Sequence, residues 1–282
     1  MKIAHYKRTN LALAPDEIVR ATNEFTVHKA VLNPPPDYKA DIWHFHNRIH
    51  PKLKYAPNQL LQYHSKPGIC DKLFPGCKIS IAQYPALYPE YNLSGIVRNI
   101  IPIHDPMFKP SYVELPYIKV GYSPSNILQT RGESDDKGYH ETINILSKLA
   151  KAFPNKFIFD PIIEVSYDEC IRRKNQCNVI IDECITGSYH KCTLEGLALG
   201  KLTICSLSKE IEKLLFPYCM AAHPIQNIGI MDLEDFLSGC IKFGPSWLIP
   251  RGKKSREWME KYWRPQDIIR DYISIYEDIL NA

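Results

Sequence analysis

The first half of the chain alternates short apolar runs with turn-rich polar segments. Residues 15–24 open with a proline followed by two acids, as the first turn of a helix commonly does, and they predict a helix. Strands separated by helix-length or loop-length segments are typical of a parallel sheet. The runs with the length and composition of strands are MKIAHY, ADIWHFHN, QLLQYHS, CKISIAQYP and GIVRNIIPI.

The second half repeats this alternation. The segment KGYHETINILSKLAKAF has apolar residues at positions 143, 146, 149 and 153, which is helical spacing. TLEGLALG predicts a helix closed by Gly200, and DLEDFLSGCIKF and PQDIIRDYISIYEDIL predict further amphipathic helices. The predicted strands between them are YIKVGYS, KFIFDPI, NVIID and LTICS. The pattern therefore predicts two α/β domains, each doubly wound.

A proline-rich stretch separates the two halves. Residues 105–116 contain Pro106, Pro110 and Pro116 and show no clear periodicity. Such segments commonly connect domains, so we expect the inter-domain linker here.

Composition agrees with two globular domains. The chain has 282 residues, of which 45% are hydrophobic and 23% charged. No apolar run approaches the roughly 18 residues of a membrane span, and MKIAHYKRTN lacks signal-peptide character, so we expect a cytoplasmic protein. The nine cysteines include no C-x-x-C pair, which indicates free thiols in a reducing compartment and argues against a zinc site.

The net charge of +4 is small but unevenly distributed. Between positions 48 and 78, Asp71 is the one acid among several basic residues. A solvated surface is the ordinary interpretation, and contact with an anionic ligand or acceptor is the alternative. These basic residues are Arg48, Lys52, Lys54, Lys66, Lys72 and Lys78.

The loop after NVIID has the composition of a phosphate-binding turn. Thr186, Gly187 and Ser188 precede the helix that carries Glu195. Ligands of doubly wound sheets bind beyond the carboxyl ends of the strands, and N–H groups at a helix N-terminus favour a diphosphate. Glu195, set back in the helix, would accept hydrogen bonds from ribose hydroxyls. The structural alternative is that Glu195 caps a backbone group or pairs with Lys191.

The order of these segments resembles the GT-B glycosyltransferases, in particular the family 4-like members that use nucleotide sugars. LEGLALGKLTI stands where that family has L-E-A-M-A-x-G-K-P-V-I, and VRNIIPIHDPMFKP resembles its P-N-G-V-D-x-x-x-F-x-P element. ADIWHFHN and LLQYHS resemble its strands ending in D-I-V-H-x-H and T-x-H, and DDKGYHETINIL resembles its K-G helix start. The resemblance covers nearly the whole chain.

This resemblance implies two Rossmann-like, doubly wound α/β domains with a cleft between them. The acceptor-side domain would comprise residues 1–112 together with the C-terminal helix 265–282, which crosses back onto it. The nucleotide-sugar donor domain would comprise residues 113–264. The implied activity is transfer of a sugar from a nucleotide-diphosphate sugar to a hydroxyl group, with retained anomeric configuration and without a metal or other cofactor.

The resemblance also implies roles for individual donor-side residues. Lys137 matches the family's phosphate-contacting lysine, and His64 matches its histidine near the donor sugar and acceptor. Tyr122 stands where the family has an arginine, so Arg131 is a candidate substitute at the diphosphate. Ser123 is a further donor-side candidate.

On the acceptor side the candidates are His46 and Lys66. His44 and His46 lie two residues apart and therefore share one face of a strand. His46 is nearer the carboxyl end of that strand, where we expect the cleft.

Departures from the family pattern leave alternatives open. Gly187 occupies the place of the first acid in the family's E-x7-E pattern, so a non-catalytic nucleotide- or glycan-binding module is one alternative. A glycosyltransferase acting on a hydroxymethylated DNA base is another, favoured by the basic run. The expected partners are a nucleotide-sugar donor and a small-molecule, glycan, lipid or DNA acceptor, with membrane association absent or peripheral.

Overall fold

The computed structural model describes residues 1–8, 11–71, 73–112, 114–124, 138–219 and 222–282. Contacts divide the chain into two compact units. The first unit comprises Met1–Pro102 and Trp263–Ala282, and the second comprises Ile103–Tyr262. Each contains one parallel sheet flanked by helices, as the alternation of strands and helices predicted.

The strands and helices follow in chain order. The strands are β1 Lys2–Lys7, β2 Lys29–Leu32, β3 Ile42–His46, β4 Gln59–Tyr63, β5 Cys77–Ile81, β6 Gly95–Val97, β7 Ile118–Tyr122, β8 Phe157–Pro161, β9 Val179–Ile181, β10 Leu202–Cys205 and β11 Gln226–Asn227. The α-helices are α1 Ala14–Phe25, α2 Tyr139–Ala152, α3 Tyr167–Asn175, α4 Lys191–Ala198, α5 Lys209–Cys219, α6 Leu233–Phe243, α7 Pro245–Tyr262 and α8 Pro265–Asn281. Short 3₁₀ helices occupy Pro51–Leu53, Pro67–Ile69, Tyr84–Leu87, Pro89–Tyr91 and Pro106–Phe108.

The first sheet has the strand order β2-β1-β3-β4-β5-β6, and all its neighbours are parallel. Strand β2 lies on one side of β1 and strand β3 lies on the other side. The direction in which successive strands are added to the sheet therefore reverses between β1 and β3. In open α/β sheets this reversal is where ligands bind. His5 on β1 is in register with His44 on β3 at this position.

The two faces of the first sheet differ in chemistry because successive strand residues point to opposite sides. Trp43 and Phe45 join an apolar cluster on one face. His44 points to the other face, where its Nδ1 lies 2.8 Å from the hydroxyl of Tyr276 on α8. Helix α8 is amphipathic, and its fully buried Tyr272 and Tyr276 lie four residues apart on the side that meets the sheet.

The second sheet has the order β11-β10-β9-β7-β8 and is also parallel. Its order reverses between β7 and β9. The central strands are buried along their whole length, which explains their continuous apolar sequences. Helices α2, α6 and α7 contribute to the same apolar core.

The division between the units falls at residues 102 and 103 rather than at the expected residue 112. The guanidinium of Arg256 on α7 donates to the carbonyl oxygens of Ile103 and Phe108. The Ser111 amide donates to Asn175 Oδ1 at 3.0 Å. These bonds attach the proline-rich segment to the second unit. The C-terminal portion of the first unit begins at Trp263, two residues before the helix α8.

The strands β2 and β11 and the helices α5 and α7 were not predicted from the sequence. Helix α7 runs through both Pro250 and Gly252, two residue types that weaken a helical pattern. Gly252 is required by packing: a Cβ atom there would lie 2.1 Å from the carbonyl oxygen of Gly200. Helix α7 therefore crosses the end of α4 at backbone contact. Among the described helices, none combines the length and hydropathy that crossing a bilayer requires.

Candidate functional site

The candidate donor site lies at the carboxyl ends of β7 and β9, where the strand order of the second sheet reverses. Ser123 follows β7, and its Oγ lies 3.4 Å from Cys170 Sγ on α3. Gly138 precedes α2 and packs so closely on Ile185 that a Cβ atom would lie 2.4 Å from Ile185 Cδ1. The start of α2 and the loop after β9 therefore meet at the ligand-binding end of the sheet.

The backbone amides of this loop bind a carboxylate of the chain itself. Glu183 is fully buried, and its Oε2 accepts hydrogen bonds from the amides of Ile185 at 2.8 Å and Thr186 at 2.5 Å. Its Oε1 accepts from the Ser188 amide at 3.3 Å. An ionised carboxylate is a strong acceptor, so Glu183 fixes the loop.

A second carboxylate occupies the N-terminus of α4. Asp182 Oδ2 accepts from the amides of His190 at 2.7 Å and Thr193 at 3.3 Å, and from the Thr193 hydroxyl at 2.6 Å. It satisfies amides that begin a helix, and its negative charge is favourable at the positive end of the helix dipole.

Both carboxylates bind the amides that the sequence predicted to contact a diphosphate. The amides of Thr186 and Ser188 donate to Glu183, and the N-terminus of α4 faces Asp182. A bound anion would have to displace an internal charge from these positions. Gly187 adopts a left-handed conformation with φ of 77°, so an acid at the family's usual position would be strained here.

Glu195 forms a buried ion pair with Lys174 of α3. The two side chains are 5% and 3% exposed, and Lys174 Nζ donates to Glu195 Oε2 at 2.6 Å. The Tyr167 hydroxyl donates to Glu195 Oε1 at 2.9 Å. Lys191, the partner suggested by sequence spacing, is more distant, with its Nζ 4.0 Å from Oε1. Glu195 therefore joins α4 to α3 through groups that are distant in sequence.

The electrostatics of this pair follow from its burial. Burial by itself lowers the pKa of Lys174, yet that pKa lies well above its ordinary value because Cys192 and Glu195 lie beside the ammonium. Burial raises the pKa of the Cys192 thiol to about 12, so this thiol is neutral. We therefore attribute the charge that holds Lys174 protonated to Glu195.

In the first unit, His64 ends a chain of hydrogen-bonded histidines. His64 Nε2 lies 3.0 Å from His46 Nδ1, and His46 Nε2 lies 3.1 Å from His5 Nδ1. The His64 backbone amide donates to Asn47 Oδ1 at 2.7 Å. The ring of the half-buried His64 is thus positioned by the buried His46, which is itself hydrogen-bonded to the buried His5.

These imidazoles are neutral at physiological pH. Burial lowers the pKa of His5 and of His64 to about 3. Burial also lowers the pKa of His44 and His46 well below the ordinary value, with a further lowering from the neighbouring rings. A neutral imidazole has one N–H donor and one acceptor nitrogen, which suits a hydrogen-bonded chain.

The remaining predicted residues fall in separate places. His46 is 1% exposed and contacts His64, so it supports that ring rather than presenting itself to an acceptor. Lys66 precedes a 3₁₀ helix, where its carbonyl oxygen accepts from the Ile69 amide. Lys137 and Arg131 lie outside the described residues. Tyr122, in place of the family's arginine, is fully buried at the end of β7.

Several residues of both sites were not predicted from the sequence. Asp182 and Glu183 had a visible signal, since paired acids directly after a buried strand are unusual. His5 also had one, because it lies near the carboxyl end of its strand, as His44 and His46 do. Tyr167 and Lys174 had none: they lie on a polar helix whose approach to Glu195 is a tertiary contact.

Comparison with known proteins supports the fold. No protein-family model and no curated protein sequence matches the chain. Among solved structures, sucrose-phosphate synthase from Thermosynechococcus elongatus is similar with a TM-score of 0.63 and 11% identity, covering 100% of this chain and 99% of that one. HepE from Anabaena in complex with UDP and glucose is similar with a TM-score of 0.63 and 11% identity, over 99% and 100%.

A glycosyltransferase from Rickettsia africae is similar with a TM-score of 0.59 and 12% identity, covering 99% of this chain and 98% of that chain. Together with the two parallel sheets and their strand order, these likenesses define the class: the chain has the GT-B fold found in glycosyltransferases. The expected fold class is thereby confirmed.

Proposed function

We propose that this protein is a glycosyltransferase that transfers a sugar from a UDP-sugar to a hydroxyl group of a sugar or glycan acceptor. The observation that carries the proposal is the end-to-end likeness to HepE, whose structures contain UDP and UDP-glucose. The likeness spans 99% of this chain and 100% of HepE, so both sheet units have a counterpart there.

In the proposed reaction, the acceptor oxygen forms a bond to C1 of the donor sugar while the bond from C1 to the diphosphate breaks. The acceptor hydroxyl loses its proton and the diphosphate leaves with the bonding electrons. The developing charge on the diphosphate must be stabilised. Because Glu183 and Asp182 hold the loop amides, we assign this role to the cationic side chains Lys137 and Arg131, without a metal ion.

Two further contacts to the substrates are proposed, one from a residue of each unit. Glu195 is the proposed ribose acceptor, since a carboxylate oxygen that binds Tyr167 still has a lone pair for a hydroxyl. His64 is proposed to contact the donor sugar or the acceptor through the nitrogen that His46 leaves available. Transfer is proposed to retain the anomeric configuration, with no protein nucleophile.

Isothermal titration with UDP-glucose, UDP-N-acetylglucosamine and GDP-mannose in EDTA, combined with an assay for nucleoside diphosphate release, tests the proposal. We expect one UDP-sugar to bind and to turn over, with the product anomer read by NMR. Lys137→Ala should abolish turnover, whereas the matched control Lys151→Ala, an exposed lysine on α2, should not. Binding of a UDP-sugar without any turnover in the presence of sugar acceptors would overturn the enzymatic assignment.

A further inference from the structure

Three histidines converge inside the first unit, where the strand order of its sheet reverses. His5 lies on β1, and His44 and His46 lie on β3. They are 0%, 0% and 1% exposed, respectively. The rings of His44 and His46 are stacked with centroids 4.2 Å apart, and the His5 ring lies 4.7 Å from that of His44.

Two of the ring nitrogens in this cluster lack a hydrogen-bond partner. Tyr276 occupies His44 Nδ1, and His64 occupies His46 Nδ1. His5 Nε2 and His44 Nε2 have no hydrogen-bond partner, although both are fully buried. Buried polar groups are nearly always paired, so the unpaired Nε2 of His44 indicates a ligand at this cluster; an ion bound through His5 Nδ1 would complete His44 and leave His5 Nε2 without a partner.

We propose that His5, His44 and His46 bind a single transition-metal dication, with Zn²⁺ as the physiological ion. One ring nitrogen from each residue lies within 4.8 Å of the other two. His5 Nδ1 and His46 Nε2 are already 3.1 Å apart, near the roughly 3.3 Å between two nitrogens on one tetrahedral zinc ion. To complete the set, the third nitrogen, which lies within 4.8 Å of the other two, would have to move toward that separation. Three imidazoles favour zinc over magnesium or calcium, which prefer oxygen ligands.

A fourth ligand is available on the adjacent strand. Gln62 on β4 is in register with His46 and is fully buried. Its side chain interacts with His44, yet neither Gln62 Oε1 nor His44 Nε2 makes a hydrogen bond of good geometry. Gln62 Nε2 donates to Tyr272 at 2.9 Å, which turns the amide oxygen away from α8. This oxygen or a water molecule would close the site.

The proposed ion has a structural consequence for His64. A metal on His46 Nε2 leaves the proton of that ring on Nδ1, which then donates to His64 Nε2. The proton of neutral His64 is thereby placed on its Nδ1. Because the site is fully buried and ties β1 to β3, the ion would be acquired during folding and would stabilise the first unit.

The test uses the untagged full-length chain. Purified protein is analysed for metal by mass spectrometry, stripped with chelator and titrated with Zn²⁺, and separately loaded with Co²⁺ for visible absorption. His44→Gln and His46→Gln are compared with His140→Gln, which alters an exposed histidine on α2. We expect about one zinc per chain, tetrahedral Co²⁺ bands, and a higher melting temperature with Zn²⁺ than with chelator.

We expect His44→Gln and His46→Gln to lower zinc affinity at least about tenfold, and His140→Gln to leave it unchanged. If His44→Gln or His46→Gln fails to fold, the zinc content and the Co²⁺ spectrum of the wild-type protein still test the proposal. Wild-type protein without stoichiometric zinc, or a Co²⁺ spectrum typical of octahedral oxygen ligation, would overturn the proposal. Equal loss of zinc in all three variants would overturn it as well. None of these readouts depends on the proposed transferase activity.

Discussion

Glu195 has both a structural and a proposed ligand-binding role, and paired variants separate them. Glu195→Ala removes the partner of Lys174 and leaves a buried ammonium next to apolar surroundings. Breaking a buried ion pair by removing one partner costs about 3–5 kcal/mol. This cost already includes the loss of the hydrogen bond from the Tyr167 hydroxyl. We therefore expect the free energy of unfolding of the second unit to drop by about 4 kcal/mol.

The double variant Lys174→Met/Glu195→Leu removes both charges at once. Replacing a buried ion pair by apolar residues of similar size is often neutral or stabilising, so we expect stability within about 1 kcal/mol of wild type. Urea denaturation followed by circular dichroism measures each value. If Glu195→Ala alone also stayed within about 1 kcal/mol of wild type, the loss of Glu195 would not leave a costly unpaired charge at Lys174.

The same double variant tests the ribose contact without the confounding loss of structure. If Glu195 accepts a ribose hydroxyl, the folded double variant should bind UDP-glucose at least about tenfold more weakly than wild type. The single variant Tyr167→Phe serves as a control, because it removes one hydroxyl bonded to Glu195 and keeps the carboxylate. Unchanged UDP-glucose affinity in a folded double variant would assign Glu195 a purely structural role.

Three further predictions concern the second unit. Glu183→Gln places an amide N–H₂ opposite a loop N–H and should lower the free energy of unfolding by about 2 kcal/mol. It should also speed hydrogen exchange of the backbone amides at residues 185–188. Unchanged exchange at these amides would contradict the role of Glu183. Gly252→Ala should lower stability by about 2–3 kcal/mol because its Cβ meets a backbone carbonyl that cannot rotate away, and a wild-type melting temperature would show that α7 can shift. Burial raises the pKa of several thiols to about 12, above their ordinary 9.0, so their contribution to stability is full below about pH 9 and is lost as pH rises toward 12. Urea denaturation between pH 7 and about 11 should show this decline. Native protein at pH 8 should resist thiol reagents at the buried Cys177 and Cys184, and rapid labelling of these two residues would contradict their burial. The thiols whose pKa is raised to about 12 are those of Cys177, Cys184 and Cys192.

Much of the fold was accessible from sequence because it depends on local periodicity. Alternating apolar runs and amphipathic segments predicted most of the strands and the helices α1, α2, α4, α6 and α8. Helix α7 was missed because its prolines weaken the local signal, while the packing of Gly252 on Gly200 favours a continuous helix. The short strand β2 carries too few residues for a periodic pattern, and its pairing with β1 specifies it.

The sequence by itself determined the class of architecture and the side of the strand that His44 and His46 share, since both follow from the two-residue period of a strand. Only the tertiary structure decided which groups their ring nitrogens meet. It also decided that Glu183 fills the loop amides and that Glu195 pairs with Lys174. The physical reason is that a buried charge must find a partner, and that partner can lie anywhere in the sequence once the chain has folded.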